Sequence, residues 1–218
     1  MMPLGDDNSL RKTTPIITYL LIALNILFFF AELNGGEEFV MKWAFIPKRF
    51  SSDPIGEIPN IFTSMFMHAG WMHLAGNMLY LWIFGDNVED RLGKIKYFFL
   101  YILSGVAATF AQYIFFSQTT IPNVGASGAI AGVLGAYILF FPGQKVNVLL
   151  GRSIVAMQSI VVIGVWFFLQ LMSGAGSLYS TQDTGGVAYM AHVGGFIAGL
   201  GVAFLFRATE PKTPSHLN

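Results

Sequence analysis

The sequence predicts an all-α integral membrane protein built as a bundle of six transmembrane helices. Of its 218 residues, 54% are hydrophobic and only 11% are charged, and the mean hydropathy is +0.60. Soluble domains contain about 25% charged residues, so this composition is typical of a chain that lies in lipid. A transmembrane helix needs about 20 mostly apolar residues. Six stretches compete for that role: 16–33, 73–88, 97–117, 127–141, 154–173 and 187–206.

Two of these stretches differ from plain apolar helices. The stretch 73–88 mixes Asn77, Asp86 and Asn87 with apolar residues, so we expect its polar groups to be buried against protein. The stretch 127–141 is short, because at about 1.5 Å per residue it spans roughly 22 Å, less than the apolar core of about 30 Å. One of its ends is therefore predicted to stop inside the membrane.

Lysine and arginine predict the orientation, because cytoplasmic loops are enriched in both. One side of the membrane receives Arg11, Lys12, Arg91, Lys94, Lys96, Lys145, Arg152, Arg207 and Lys212, and the other receives Lys42, Lys48 and Arg49. Both termini are then predicted to be cytoplasmic. This gives an N-terminal tail at 1–15, a six-helix domain at 16–206 with an outer interfacial segment at 34–66, and a C-terminal tail at 207–218.

The charge balance and the absence of cysteine exclude several kinds of function. Twelve Lys and Arg balance twelve Asp and Glu, and no long basic run is present, so a nucleic-acid partner and a polybasic lipid patch are not indicated. Without cysteine there is no disulfide, thiol nucleophile or cysteine-ligated metal. We therefore expect membrane lipids and membrane-embedded proteins as partners. The oligomeric state is left open.

Three polar residues are predicted to lie at a similar depth. The second, fourth and sixth stretches all run inward from the outer face, and each carries a polar side chain within about two helical turns of its outer end. These residues are Asn77, Ser127 and His192. Because polar groups inside a membrane are costly, each is a functional candidate, and their common depth predicts one site.

Ser127 opens the short fourth stretch. The N-terminus of a helix presents free N–H groups and a partial positive charge where an oxyanion would develop, which suits a nucleophile. For a lone serine, an N-cap role, in which the side chain accepts a backbone hydrogen bond, is the preferred interpretation. Ser127 by itself leaves both interpretations open.

His192 is the candidate base for Ser127. Imidazole is the commonest general base at neutral pH, although a buried histidine can also be a packing residue bonded to a backbone carbonyl. Gly195 and Gly199 follow His192 at small-residue spacing and Gly128 follows Ser127, so the two helices can approach closely. Neither stretch contains Asp or Glu, so a Ser–His dyad is predicted rather than a triad.

His73 and Asn77 are spaced i and i+4 and project from one helical face. Both can donate hydrogen bonds, and together with the Ser127 N–H they are candidates for stabilising an oxyanion. The rival interpretation is a zinc site of His68, His73 and His192. No cysteine or nearby carboxylate supports that site, so no metal is expected.

These residues resemble the rhomboid family of intramembrane serine proteases. Four motifs in order carry the resemblance: HAGWMHLAGN at 68–77, Gly85 with VEDRLG at 88–93, GASG at 125–128, and Ala191-His192 followed by Gly195 and Gly199. The similarity runs from about Ile16 to Phe206. It implies a rhomboid-like six-helix bundle, Ser127 as nucleophile, His192 as base and later acid, and an oxyanion hole of His73, Asn77 and the Ser127 N–H.

The resemblance also implies the substrates and the location. Substrates would be single-pass membrane proteins cleaved near the membrane boundary, usually after a small residue, with no metal or organic cofactor. The protein would be multi-pass in the cell (inner) membrane if it is prokaryotic. The alternative is a non-catalytic rhomboid-like protein that binds membrane clients. Such proteins lose the serine or the histidine, and this chain retains both.

The remaining matched positions are interpreted as structural. Near the site these are His68, Gly125, Gly128, Gly195 and Gly199, and at the inner end of the second helix they are Glu89 and Arg91. One position departs from the family pattern. Many relatives carry a tyrosine that stacks on the catalytic histidine four residues after the serine, where this chain has Ala131. Tyr189, three residues before His192 on the same helical face, is the hypothetical substitute.

Overall fold

The computed structural model describes residues 2–9, 11–178 and 187–209. The helices in this part are α1 (Ile16–Trp43), α2 (Pro47–Ser52), α3 (Ile58–Thr63), α4 (Trp71–Leu92), α5 (Lys94–Phe115), α6 (Ser127–Phe140), α7 (Ser159–Leu178) and α8 (Tyr189–Ala208). The strands are β1 (Met2–Asp6), β2 (Lys145–Leu150) and β3 (Ser153–Gln158). A short 3-10 helix covers Ser64–Phe66.

Each of the six predicted stretches overlaps a helix, and the predicted helical membrane fold is confirmed. Four helices in the described part of the chain, α1, α5, α7 and α8, are long and apolar enough to cross a membrane. Helix α6 is apolar but has only 14 residues. Helix α4 buries Asn77, Asp86, Asn87 and Glu89 against protein, as its mixed sequence predicts.

Helix α6 lies at the centre of the bundle, and residues 128–137 are all buried. Its glycines permit direct contact with α8. A Cβ atom on Gly195 would overlap the carbonyl oxygen of Gly128, and one on Gly199 would overlap that of Gly132. The two backbones therefore touch, which brings the start of α6 next to the start of α8.

The predicted interfacial segment 34–66 is more helical than expected. Helix α1 continues to Trp43 across a break at Gly36, whose φ of 60° and ψ of −150° are readily accessible only to glycine. Helices α2 and α3 and the 3-10 helix follow. Helix α1 therefore continues beyond residue 33, where the first predicted stretch ends, because the helix resumes after the break at Gly36.

A three-stranded antiparallel sheet, in the order β1-β2-β3, was not predicted. Strand β1 lies in the expected N-terminal tail and pairs with β2, Met2 opposite Leu149 and Asp6 opposite Val146. The sheet packs near the C-terminal end of α6, where the Tyr137 hydroxyl donates a 2.6 Å hydrogen bond to the Asp6 carboxylate. The segment 1–15 is therefore anchored to the bundle over its described residues.

Strand β3 also corrects the fifth predicted stretch. Residues 153–158 form this strand, and α7 begins only at Ser159 rather than at residue 154. An apolar run such as that at 154–157 fits a strand and a buried helix equally well, so periodicity alone does not separate them. Helix α8 extends through Ala208, and residues 210–218, with Lys212, lie outside the described part of the chain.

Glu89, near the end of α4, caps the start of α1. Its carboxylate accepts hydrogen bonds from the backbone N–H groups of Ile17 at 3.0 Å and Thr18 at 2.8 Å, and from the Thr18 hydroxyl at 2.9 Å. The first N–H groups of a helix have no partner within it, and a carboxylate is favourable there. Glu89 is buried and has the structural role that its position predicts.

Candidate active site

Ser127 and His192 are in direct contact. Ser127 is the first residue of α6, and His192 lies in the first turn of α8. The Nε2 atom of His192 is 2.8 Å from Ser127 Oγ. The close packing of α6 against α8 sets this separation, and His192 is buried, with 8% of its surface exposed. An imidazole at this distance can take the proton of the serine hydroxyl.

The N-cap interpretation of Ser127 is not supported. The N-cap residue of α6 is Ala126, and no side chain caps this helix. The Ser127 hydroxyl bonds to the imidazole instead, while the N–H groups of the first turn have no partner within the helix. The serine therefore stands where the helix presents both free donors and partial positive charge.

Gly125 brings His73 close to Ser127. A Cβ atom at Gly125 would lie 2.9 Å from Cε1 and 3.0 Å from Nε2 of His73, and 3.5 Å from Ser127 Oγ. The φ angle of Gly125 is 137°, in a region that side chains with a Cβ rarely adopt. Both the conformation and the close approach therefore require glycine at this position.

Asn77 supplies an unused hydrogen-bond donor. It lies one helical turn after His73 on α4, and among the described residues its buried Nδ2 has no hydrogen-bond partner. A buried polar group without a partner is unfavourable unless another ligand satisfies it. This arrangement fits a donor to an oxyanion.

His68 contacts His73 rather than the dyad. The two rings meet edge to face with centroids 5.1 Å apart. Burial lowers the pKa of His68 to about 4, with a smaller contribution from His73, so His68 is neutral at pH 7. Within residues 2–9, 11–178 and 187–209, no three His, Asp or Glu side chains are grouped as a metal site requires.

Helix α7 supplies two side chains to the other side of the His192 ring. The Oε1 atom of Gln170 is 2.7 Å from His192 Nδ1. The Trp166 ring lies 5.8 Å from the imidazole, tilted by 37°. In the described structure no ring contact or hydrogen bond joins Tyr189 to His192, and both Gln170 and Trp166, which do contact the ring, lie on α7.

A narrow cavity opens beside Ser127. It is lined mainly by small side chains on three helices: Gly105, Ala108, Thr109, Gly128, Ala129 and Ala191. Met65 and Asn123 also reach it. The cavity therefore suits a small side chain next to the Ser127 hydroxyl.

Comparison with known proteins identifies the family. A family model described as the Rhomboid domain matches residues 56–209. The chain belongs to the rhomboid family. This rhomboid is 35% identical to Rhomboid protease GluP of Bacillus subtilis (strain 168), over 85% of the chain and 34% of that protein. It is 28% identical to Putative rhomboid protease YdcA of the same organism, over 88% of each.

A third relative is Rhomboid protease GlpG of Salmonella newport (strain SL254), which is 26% identical over 90% of the rhomboid chain and 65% of that protein. Several curated relatives are longer, and the chain spans only about a third to a half of their length. As a rhomboid it is an integral membrane protein. Its bacterial relatives support an inner-membrane location if it is prokaryotic.

Sequence reasoning missed two polar residues around the rhomboid site. Gln170 is the only polar side chain in the stripe Ile163, Trp166, Phe167, Gln170 and Gly174 of α7, and that spacing was the available signal. Glu32, a lone carboxylate in the first apolar stretch, is buried and accepts a 2.8 Å hydrogen bond from the His68 N–H. Intramembrane acids are functional or structural candidates by default, so Glu32 had a signal as well.

Proposed function

We propose that this chain is an intramembrane serine endopeptidase that hydrolyses peptide bonds in or near the transmembrane segments of membrane proteins. The observation that carries the proposal is the 2.8 Å contact between Ser127 Oγ and His192 Nε2 within a rhomboid helical bundle. Relatives that are named rhomboid proteases support it.

In the proposed reaction His192 is the base and then the acid. Its Nε2 takes the Ser127 proton as Oγ attacks the carbonyl carbon, and it returns that proton to the leaving amine. Water then hydrolyses the acyl-enzyme with His192 again as base. The oxyanion accepts hydrogen bonds from the Ser127 N–H, His73 and Asn77, and loss of one such donor costs about 3 kcal/mol of transition-state stabilisation.

The proposed substrates are single-pass membrane proteins. The small side chains around the cavity beside Ser127 favour a small residue at the position before the cleaved bond. The orientation proposed from the basic residues puts both termini in the cytoplasm and opens the site to the outer face. The substrate would be cleaved near that boundary, where its helix can unwind. The reaction requires no metal or organic cofactor.

The test is cleavage of a model transmembrane substrate by the purified chain in liposomes. Ser127→Ala and His192→Ala should each abolish cleavage, and Ser127→Ala should abolish labelling by a fluorophosphonate. Ser173→Ala, the same change at an exposed serine of α7, is the matched control and should keep full activity. Full activity of Ser127→Ala contradicts the mechanism. Substrate binding without cleavage by the unaltered chain would instead indicate a non-catalytic client-binding protein.

A further inference from the structure

Both nitrogens of the His192 ring have a partner. Nε2 meets the Ser127 hydroxyl at 2.8 Å, and Nδ1 meets Gln170 Oε1 at 2.7 Å. A neutral imidazole carries one N–H, so one nitrogen donates and the other accepts. The base must accept the serine proton at Nε2, which requires the hydrogen on Nδ1. An amide oxygen facing Nδ1 is the matching acceptor.

The orientation of Gln170 follows from packing on α7. Most of this helix faces outward, and Trp166, Phe167 and Gln170 lie half-buried along the stripe that contacts α8. The Phe167 ring stacks on Phe196 of α8 with centroids 4.1 Å apart. This stacking fixes α7 against α8 one helical turn from His192, so Gln170 reaches Nδ1 from a defined direction.

Glutamine suits this place better than an acid. Helix α7 contains no charged residue, and a carboxylate beside His192 would require a charge to be buried in the apolar bundle. The neutral amide accepts the Nδ1 hydrogen without that cost. It also holds the ring while the charge on the imidazole appears and disappears during the reaction.

We infer that Gln170 is a positioning residue that selects the base-competent tautomer of His192 and, with Trp166, fixes the plane of its ring. The inference rests on the proposed proteolytic function. In the reaction the Ser127 proton moves to Nε2, while the Nδ1 hydrogen stays bonded to the Gln170 oxygen throughout. Gln170 thus takes the orienting place of the acid in a Ser-His-Asp triad, without its charge.

The first test compares Gln170→Leu with Leu169→Ala, a control at the neighbouring lipid-exposed residue of α7. Gln170→Leu should lower kcat roughly 10- to 100-fold, part of the ~10²- to 10⁴-fold that a general base contributes. KM should stay nearly constant, because Gln170 meets the Nδ1 side of the His192 ring and Ser127 meets the Nε2 side. A kcat equal to that of the control overturns the inference.

The second test is Gln170→Glu, which also decides the question if Gln170→Leu fails to fold. The carboxylate still accepts from Nδ1, so activity should be rescued at high pH. Its negative charge stabilises imidazolium, so the acid limb of the kcat/KM profile should move up by about one pH unit or more. A profile that superimposes on that of the unaltered chain overturns the inference, since a merely structural role would not move it.

These outcomes are distinct from failure of the proposed function. Activity in Ser127→Ala would refute the protease mechanism itself. An inactive Ser127→Ala combined with unchanged Gln170 variants would refute only the role of Gln170. Apart from the glutamate introduced in Gln170→Glu, His73 is the ionisable side chain in the described structure that acts electrostatically on His192. His73 is unchanged in every variant.

Discussion

The backbone N–H of His68 donates a 2.8 Å hydrogen bond to the buried carboxylate of Glu32, which joins α1 to the segment that leads into α4. Glu32 is 6% exposed. His68 precedes His73 by five residues, and the His68 ring contacts the His73 ring. The bond therefore holds the chain where it enters the helix that supplies two of the proposed oxyanion donors.

Glu32→Leu should lower both stability and cleavage. It leaves the buried His68 N–H without an acceptor, which costs about 1–3 kcal/mol of unfolding free energy. Glu32→Gln keeps an acceptor oxygen and should be milder. Thermal unfolding in detergent measures the effect, with Glu37→Ala as control at an exposed glutamate of the same helix. Equal stability of Glu32→Leu and Glu37→Ala would contradict the role of this bond.

Gly195→Ala should separate α6 from α8. The added methyl overlaps the Gly128 carbonyl oxygen, and overpacking of this kind typically costs about 1–3 kcal/mol. Fluorophosphonate labelling of Ser127 should fall as the dyad distance grows. Gly201→Ala on the same helix is the matched control, because no atom lies within 4 Å of its added Cβ. That control should gain about 0.5–1 kcal/mol from helix propensity. Normal labelling of Gly195→Ala would show that the glycine contact does not set the site.

Glu89→Ala should loosen the start of α1. Removing the carboxylate takes the acceptor from Ile17 and Thr18, and hydrogen bonds to charged groups are worth about 1.5–3 kcal/mol each. Hydrogen exchange at these two amides should accelerate together with a lower unfolding temperature. Glu38→Ala, at an exposed position of α1, should change neither. Unchanged amide protection in Glu89→Ala would mean that the cap is dispensable.

Docking of strand β1 should depend on pH through Asp6. Burial raises the pKa of Asp6 from 3.8 to about 6, against the opposing hydrogen bond from Tyr137. The folded pKa exceeds the unfolded one, so this contribution to stability is fully present below pH 3.8 and is lost as the pH rises through about 6. The unfolding temperature should therefore increase as the pH falls from about 7.5 towards 5, because the folded state takes up the Asp6 proton around pH 6.

Asp6→Asn, which resembles the protonated carboxyl, should flatten this pH dependence. Asp7→Asn is the control, because Asp7 is exposed and its pKa is lowered by hydrogen bonds from Ser9. The same slope in Asp6→Asn and in the unaltered chain would assign the pH dependence to another group.

The helices were predictable because hydrophobicity is a local property. The start of α6 at Ser127 follows from the glycine-flanked serine before an apolar run, and α6 begins at that residue. Strand β3 was missed because Ile154 and Val155 fit a strand or a helix in an apolar run. Its assignment depends on pairing with β2, and β1 depends on the same partner from more than a hundred residues away.

The candidate site was predictable only in part. Orientation and spacing indicate that Ser127 and His192 share a depth, and the structure has them in contact. The spacing of Gln170 on α7 was a signal, but its partner was not predictable, because helical spacing identifies the side chains on one face of α7 and not the ring that this face contacts. Ala131 indicated that something else must hold His192, and the packing of α7 against α8 supplies Trp166 and Gln170.

The pairing of β1 with β2 has a consequence for biosynthesis. Asp6 and Tyr137 are 131 residues apart in the chain, so the N-terminal strand leaves the ribosome long before its partners exist. It must wait until α1, α4, α5 and α6 have been made and inserted. Protection of residues 2–6 from an added protease during translation would therefore time the completion of the first four of the six predicted membrane helices and of β2.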